Sequence, residues 1–493
     1  MDGLLSAAAS GGIVPARPWN AMVLDQVEYI NRMFAANGQA LRVIDDGEGG
    51  VDYMCADDEI LVHDEHSDAV RGLLNHPADD VEPVTRGVMR HRLARAAEHR
   101  TAHEALGHIE ANRGRGIAAP NHVLTVSGVV GPCPATEPEE VPAGIEPYPA
   151  VQQSGGDGVR IYIADTGLVA ETVSACPWLA GVDRDQLPDG SGLQPWEDLP
   201  SVAPAAGNPG TPPAGGHAAA AGGQPAAPAD GQAAAAHRDR RRAEFSQAHG
   251  DAGVAPSLET MAAQQQIGTY TGHGTFVAGV ARCMAPQADV IVSNVFSTAG
   301  SALESEFVKE LDRALDLGVD IFNLSITAPT LNDRPLLAFA RWLKRAQELK
   351  GVVCVAAAGN GGSRQPFWPA ACPEVVSVGA LAADWHSRAD FSNYGGWVDV
   401  YAPGRDIVNA FAIGTYDCYV DPYAGDTRKF YGMARWSGTS FSAPMVSGLI
   451  AARMSRTGEN GKEAAAALLA EARAQAIPGT GPILLPHANR HGT

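Results

Sequence analysis

Apolar positions occur along the chain either at helical spacing or in short runs typical of strands, and the two parts of the chain combine these patterns differently. Between residues 20 and 125 short patterns of both kinds alternate. Residues 20–36 place apolar side chains at helical spacing, and ALRVID, VDYMC and EILVHD predict short strands. SDAVRGLLNH and the stretch Val84–Asn112 predict two further helices. This region is therefore predicted to form a small α/β unit.

From about residue 267 to residue 456 the apolar positions form unbroken runs. DVIVSNV, VDIFNLSI, GVVCVAAAG and EVVSVGAL are rich in Val and Ile, and helical patterns such as Glu304–Leu317 and Pro335–Leu349 lie between them. Strands that are apolar on both faces and alternate with helices are typical of a parallel sheet covered on both sides. The predicted fold class is α/β, with a mostly parallel sheet between helices that follows the smaller α/β unit.

Two stretches lack both patterns. PCPATEPEEVPAGIEPYPAVQQSGGDG is rich in Pro, Glu and Gly, which predicts a linker or a segment lying on a neighbouring domain. Residues 188–265 consist mainly of Ala, Gly, Pro and Gln, and they carry the basic cluster Arg238–Arg242. A segment with so little apolar surface to bury cannot offset the entropy lost on ordering. We expect a disordered insertion there.

Composition narrows the function classes. The 493 residues include 36 Lys and Arg against 56 Asp and Glu, a net charge of −20. This charge argues against nucleic acid and anionic membranes as main partners, because it would repel phosphate. The N-terminus lacks the pattern of a signal peptide, and no run of roughly 18 apolar residues occurs. Seven cysteines do not make a disulfide scaffold, so a reduced, cytoplasmic protein is expected.

Three polar side chains stand where a strand ends or a helix begins. Asp165 ends the strand in RIYIADTG, His273 begins a helix in TGHGTFVAGVA, and Ser440 begins one in SGTSFSAPMVSG. Such positions meet along one edge of a parallel sheet. A serine hydroxyl becomes nucleophilic when an imidazole removes its proton, and a carboxylate orients that imidazole. Asn360 ends the strand GVVCVAAAGNGG, where its amide and the backbone N–H of Ser440 could hydrogen-bond an oxyanion.

With these four motifs in this order, the chain resembles the subtilisin-like serine proteases, the subtilase family. FWPAACPEVVSVGAL and ADFSNYGGWVDVYAPG are also similar to family segments, and the resemblance runs from about Val159 to Met454. It implies an endopeptidase that hydrolyses protein or peptide substrates through an acyl-enzyme on Ser440. His273 would be the general base, Asp165 would orient it, and Asn360 would donate to the oxyanion.

The resemblance also implies where the substrate binds. NLSITAP stands where relatives usually carry Ser-x-Gly-Gly, in a strand that pairs with the substrate backbone. The substrate-binding residues carried over in this way are Ser325, Ile326, Thr327, Ala358 and Gly359. Bulkier residues in NLSITAP predict a channel of different shape. The gap between Asp165 and His273 is much longer than in compact members, and the insertion fills most of it.

Two domains follow from the resemblance. Residues 1–150 form an accessory or pro-domain-like α/β region with its linker, and residues 151–493 form the catalytic domain with its insertion. The segment from EILVHD to VEPV resembles the end of a subtilase pro-domain, but the region continues far beyond it. We therefore expect the N-terminal region to stay attached or associated as an accessory domain.

Two other functions stay open. A catalytically silent pseudoprotease that holds a peptide is disfavoured by the intact Asp165, His273, Ser440 and Asn360. A secreted degradative subtilase should show a signal peptide, and none is recognisable. An intracellular processing protease is the role that the sequence favours.

No cofactor is expected to be required, and a structural calcium ion is left open. Relatives often bind calcium, but no motif locates a calcium site, since Asp183, Asp185 and Asp189 lack the position-five ligand of a calcium loop. His103 and His108 are spaced by five residues rather than the four of a helical zinc motif, so no metal is assigned to them.

The cysteines of the catalytic region raise a redox question. Cys283 and Cys354 lie in apolar segments and are expected to be buried hydrophobic side chains. A disulfide between Cys354 and Cys372 in an oxidising setting is the alternative. The sequence leaves the substrate preference and the oligomeric state open.

Overall fold

The structure is a computed structural model that describes residues 19–47, 51–93, 99, 101–126, 135–184, 265–296, 299–349, 351–418 and 423–486. Almost all of the insertion predicted for residues 188–265, with the cluster Arg238–Arg242, lies outside the described residues. Its disorder stays a prediction. None of the helices in the described ranges combines the length and apolar composition needed to cross a membrane.

The N-terminal region is an antiparallel sheet with helices packed against both of its faces. Its elements are α1 (Trp19–Ala36), β1 (Leu41–Asp45), β2 (Val51–His63), α2 (Asp64–Leu73), β3 (Val81–Thr85), β4 (Val88–Arg92), α3 (Ala102–Arg113) and β5 (Ala118–Thr125). The long strand β2 pairs with β1, β4 and β5. Successive side chains of β2 point to opposite faces of the sheet and pack into two different cores. Ile60 and Val62 pack with α2 and α3, whereas Leu61 joins the core beneath the catalytic domain.

Two predictions about this region are wrong. VDYMC and EILVHD form one continuous strand, β2, instead of two. The stretch Val84–Asn112 is not a single helix, because it contains the β3–β4 hairpin, and α3 is the helix found among its described residues. Gly87 makes the hairpin turn, and its φ of +93° is incompatible with a continuous right-handed helix. The start of α3 is fixed by a capping box between Thr101 and Glu104.

The expected catalytic domain, residues 151–493 and here called the catalytic region, contains a seven-stranded parallel sheet within the described residues, in the order β14–β13–β12–β11–β6–β9–β7. These strands are β6 (Arg160–Ala164), β7 (Asp183–Arg184), β9 (Asp289–Ser293), β11 (Ile321–Leu324), β12 (Val353–Ala357), β13 (Val376–Leu381) and β14 (Val400–Pro403). The four apolar runs of the sequence became β9, β11, β12 and β13. The predicted α/β class is confirmed.

Helices cover both faces of this sheet. They are α4 (Ala170–Ala175), α5 (His273–Met284), α6 (Glu304–Leu315), α7 (Leu337–Glu348), α8 (Thr439–Thr457) and α9 (Gly461–Ala474). In β6, Ile161 and Ile163 pack towards α5 and α8, whereas Tyr162 and Ala164 pack towards α6 and α7. Because both faces of the strand are buried, it needs an unbroken apolar run.

Two smaller pairings frame the edge of the sheet. Strands β8 (Gln266–Ile267), β15 (Ile407–Asp417) and β16 (Thr427–Trp436) form a third sheet, and β16 leads directly into α8. Strand β10 (Ser301–Leu303) belongs to the catalytic region but pairs antiparallel with β5 of the N-terminal region. The N-terminal sheet is therefore continued by a catalytic-region strand.

Candidate active site

Asp165 and His273 form a buried hydrogen-bonded pair. Asp165 comes directly after β6, His273 is the first residue of α5, and both side chains are fully buried. The Nδ1 atom of His273 lies 2.7 Å from Oδ1 of Asp165, which also accepts the Thr166 N–H at 2.7 Å. A carboxylate at Nδ1 keeps the ring proton there, which leaves Nε2 to exchange a proton with another group.

Glycines allow α5 to start this close to β6. A Cβ atom on Gly274 would lie 2.4 Å from the carbonyl oxygen of Gly167, closer than any side chain tolerates. Gly272 precedes the helix with φ +86°, in the left-handed region. The Gly-His-Gly sequence therefore places His273 against the end of β6, next to Asp165.

Aromatic rings hold the imidazole from its other sides. The ring of Trp436 meets that of His273 edge to face at 5.7 Å, and the ring of Phe441 lies 5.6 Å away. Within the described residues, Nε2 of His273 has no hydrogen-bond partner. The ring is thus oriented by Asp165 and by packing, with Nε2 unengaged.

Ser440 lies in the first turn of α8, where the backbone is fixed from below. Its carbonyl oxygen accepts the hydroxyl of Ser325 at 2.7 Å, and that hydroxyl accepts the amide of Asn323 at 3.0 Å. The Ser440 hydroxyl donates to the carbonyl oxygen of Val126 at 3.4 Å. It therefore points to the N-terminal region and makes no hydrogen bond with His273.

Asn360 is oriented by Thr439, the residue before the serine. Its Oδ1 accepts the backbone N–H and the hydroxyl of Thr439, both at 2.9 Å. The Thr439 hydroxyl also accepts the N–H of Gly359 at 3.1 Å. Because the amide oxygen is committed to Thr439, its donating Nδ2 is turned the other way.

The five residues expected to bind substrate differ in what they contact. Thr327 exchanges two backbone hydrogen bonds with Thr125, at 2.9 and 2.8 Å, so it pairs with an extended segment of the N-terminal region. The side chain of Ser325 supports Ser440, and Ile326 is buried in the core. Ala358 is buried and its carbonyl accepts the Asn393 amide; Gly359, at φ +100°, bonds Thr439. Thr327 is thus the residue of this set that pairs through its backbone with the segment in the cleft.

The occupant of this cleft was missed by the sequence analysis. Strand β5 enters between β10 and Thr327, and the N–H of Val126 donates to the carbonyl of Gly300 at 2.9 Å. The end of the N-terminal region thus runs as an extended strand up to Ser440. The sequence contains a signal for the strand, since the run HVLTV before Ser-Gly includes three β-branched residues, but no signal for where the strand ends in the fold.

Cysteines and metal ligands add no second centre in the described ranges. Cys354 and Cys372 are free, and burial raises the pKa of Cys354 and raises that of Cys372 to about 12. Cys283 is buried as expected. No group of three or more His, Cys, Asp or Glu side chains in the described residues is arranged to hold a metal ion. Asp185 and Asp189 lie outside those residues.

A carboxylate–imidazole pair and a helix-start serine at one edge of a parallel sheet are the arrangement that serine hydrolases of the α/β class use. The chain belongs to the subtilase family, since the model of the Subtilase family matches residues 156–480. The resemblance seen in the sequence is confirmed.

Individual relatives match only part of the chain. The thermophilic serine proteinase of Bacillus sp. (strain AK1) is 36% identical over 224 residues, which cover 42% of this chain and 48% of that protein. The intracellular serine protease of Paenibacillus polymyxa is 32% identical over 196 residues, covering 37% and 53%. The matched region thus spans about half the length of these relatives.

A solved structure supports the fold. Fervidolysin from Fervidobacterium pennivorans, a keratinolytic enzyme related to subtilisin, superposes with a TM-score of 0.51 at 16% identity. The match covers 91% of this chain and 62% of that one.

Proposed function

We propose that this protein is a serine endopeptidase that hydrolyses peptide bonds through an acyl-enzyme on Ser440. The observation that carries the proposal is the arrangement around Ser440. A buried Asp165–His273 pair at 2.7 Å lies on one side, and an extended chain presents a carbonyl 3.4 Å from the hydroxyl on the other. Family membership supports the same reaction.

Each side chain then has one task. Nε2 of His273 takes the proton of Ser440 as Oγ attacks the substrate carbonyl carbon, and Asp165 stabilises the imidazolium. The Nδ2 of Asn360 and the N–H of Ser440 donate to the resulting oxyanion. His273 then protonates the leaving amine, the acyl group stays on Ser440, and water attacks that ester with His273 again as the base. For this, the hydroxyl must turn from Val126 to Nε2.

The polypeptide substrate would bind as an added strand. The backbones of Thr327 and Gly300 already pair with residues 125 and 126 in this way. A second chain pairing there would gain backbone hydrogen bonds whatever its sequence. This supports protein or peptide substrates.

We further propose that the N-terminal domain is a pro-domain removed by cleavage between Val126 and Ala135. The sequence favoured an attached accessory domain, but the contacts of Val126 support self-inhibition, because substrate and N-terminal domain need the same edges. The two-domain division of the chain is part of this proposal.

An intracellular processing role is the biological setting we propose. Its support is the likeness to a relative named as an intracellular serine protease. The pseudoprotease alternative predicts the same peptide contacts without turnover.

A fluorophosphonate probe, which reacts with activated serines, tests the chemistry. Wild-type protein should be labelled and should hydrolyse peptides, and Ser440→Ala should do neither. Ser455→Ala, which changes an exposed serine on the same helix, should behave as wild type. Labelling that survives in Ser440→Ala would reject the assignment.

N-terminal sequencing tests the proposed removal of the pro-domain. It should find a new terminus between residues 127 and 135 in wild type, and none in Ser440→Ala. Cleavage near residues 80–90 instead would contradict the proposed boundary.

A further inference from the structure

The segment that follows the proposed cleavage site lies along the other side of Ser440. Residues Ala135–Glu140, here called the strap, run antiparallel to the end of β16. The N–H of Ala135 donates to the carbonyl of Ser437 at 3.1 Å, and Glu139 and Arg435 exchange two backbone bonds at 2.8 and 2.9 Å. The strap is thus hydrogen-bonded to residues three to five positions before the nucleophile.

Side chains of the β15–β16 sheet hold the strap in place. The indole N–H of Trp436 donates to the Thr136 carbonyl at 2.6 Å, and Arg428 donates to the Pro138 carbonyl at 2.6 Å. The buried carboxylate of Glu137 accepts the hydroxyl of Tyr416 at 3.2 Å. A merely adjacent linker would not need a buried, hydrogen-bonded carboxylate. The strap is therefore an integral part of the structure around the β15–β16 sheet.

The position of the strap relative to the reaction follows from two neighbours. Thr327 and Gly300 hold the chain that approaches Ser440 from the acyl side, as Thr125 and Val126 show. The strap pairs with Ser437, on the opposite flank. Trp436, which bonds the strap, also packs on His273, the group that would protonate the leaving amine. The strap therefore lies on the leaving-group side.

We propose that the strap occupies the backbone edge that substrate residues beyond the scissile bond would use, and so selects substrates with a short leaving side. This inference rests on the proposed function, with Ser440 as nucleophile. A substrate with several residues after the scissile bond must displace the bonds from Ala135 to Ser437 and from Glu139 to Arg435. A substrate that ends with one residue or a small amine leaves them intact.

The wild-type enzyme provides the first test. Peptides sharing the acyl-side sequence His-Val-Leu-Thr-Val-Ser, taken from residues 122–127, would be extended by one, two or four residues beyond the cleaved bond. Each displaced backbone hydrogen bond is worth roughly two- to tenfold, so kcat/KM should fall about tenfold from the shortest peptide to the longest. A value that stays constant or rises with length would overturn the proposal.

Variants of the strap test its cause. Ala135→Pro and Glu139→Pro each remove one backbone donor and should raise the kcat/KM of the long peptide severalfold, with that of the short peptide unchanged. Ala143→Pro is the matched control, since it lies before Gly144 (φ +75°) in a turn whose first central position accepts proline. It should match wild type. Hydrolysis of the short peptide reports the proposed function separately. A flat length series with normal short-peptide turnover would refute the strap alone, and absent turnover of both would refute the proposed function and the strap with it.

Discussion

The carbonyl oxygen of Val126 accepts a hydrogen bond from the hydroxyl of Ser440 across 3.4 Å, although 314 positions separate the two residues in the chain. This contact exists because β5 pairs with β10 on one side and Thr125 pairs with Thr327 on the other. The N-terminal sheet therefore ends inside the cleft. Its removal would leave unpaired backbone edges at Thr327 and Gly300, which are templates for an incoming strand.

Replacing Asn360 tests the oxyanion site. Because Thr439 holds the amide oxygen of Asn360, Nδ2 is fixed before substrate arrives. Asn360→Ala should lower kcat by about 10²–10³-fold with little change in KM, since the lost hydrogen bond forms mainly in the transition state. Steady-state kinetics on a small peptide would measure both constants. A loss confined to KM would show instead that Asn360 binds ground-state substrate.

Arg90 should be essential for the docking of the N-terminal domain. Its guanidinium, only 5% exposed, lies 3.5 Å from Glu59 and 2.7 Å from Glu306 of α6, and it also pairs with Glu82. Arg90→Ala would leave the buried Glu59 without this partner, a loss that typically costs about 3–5 kcal/mol. Urea unfolding of the Ser440→Ala protein, whose chain should stay intact, would measure the change. Arg92→Ala, at a half-exposed arginine that contacts the same two N-terminal carboxylates, should cost less than about 1 kcal/mol. Equal losses would contradict this account.

The features that could be predicted from the sequence are those that a short segment of the chain determines. The strands β9, β11, β12 and β13 and the positions of Asp165, His273 and Ser440 follow from short segments, because a buried strand and a helix start each have their own residue pattern. The hairpin within Val84–Asn112 was missed because the apolar residues suggested helical spacing, and the turn that Gly87 makes between β3 and β4 was not recognised. The contacts of Val126 and of the strap join residues about 300 positions apart. No local pattern records such a pairing.

The stability of the N-terminal domain should fall in acid through His91. This fully buried imidazole lies 2.9 Å from the Ser67 hydroxyl and 3.1 Å from His76. Burial, with a smaller contribution from His76, lowers the pKa of His91 from 6.5 to about 4, and burial also lowers the pKa of His76. The unfolded chain therefore binds protons at higher pH than the folded one. The stabilisation is complete above pH 6.5 and is lost as the pH falls towards 4.

Urea midpoints of the Ser440→Ala protein between neutral pH and mild acid would measure this loss. His91→Gln can still hydrogen-bond Ser67 but does not titrate, so it should flatten the slope. The exposed His103, changed to Gln, should leave the slope as it is. A midpoint that rises on acidification, or a slope unaffected by His91→Gln, would be incompatible with this role.

Finally, replacing residues 188–265 by a short Gly/Ser loop should leave the fold and the hydrolysis of small peptides intact. Between residues 203 and 253, prolines aside, Phe245 is the only apolar side chain larger than Ala, so deletion removes little buried area. The flanks have their own anchors, since Arg184 pairs with Val292 of β9 and Ile267 with Tyr416 of β15. Closure entropy changes only with the logarithm of loop length, so kcat/KM should stay within about threefold and Tm within a few degrees. A tenfold change in kcat/KM, in either direction, would mean that the insertion shields the cleft or docks a partner, with Phe245 and Arg238–Arg242 as the first residues to substitute.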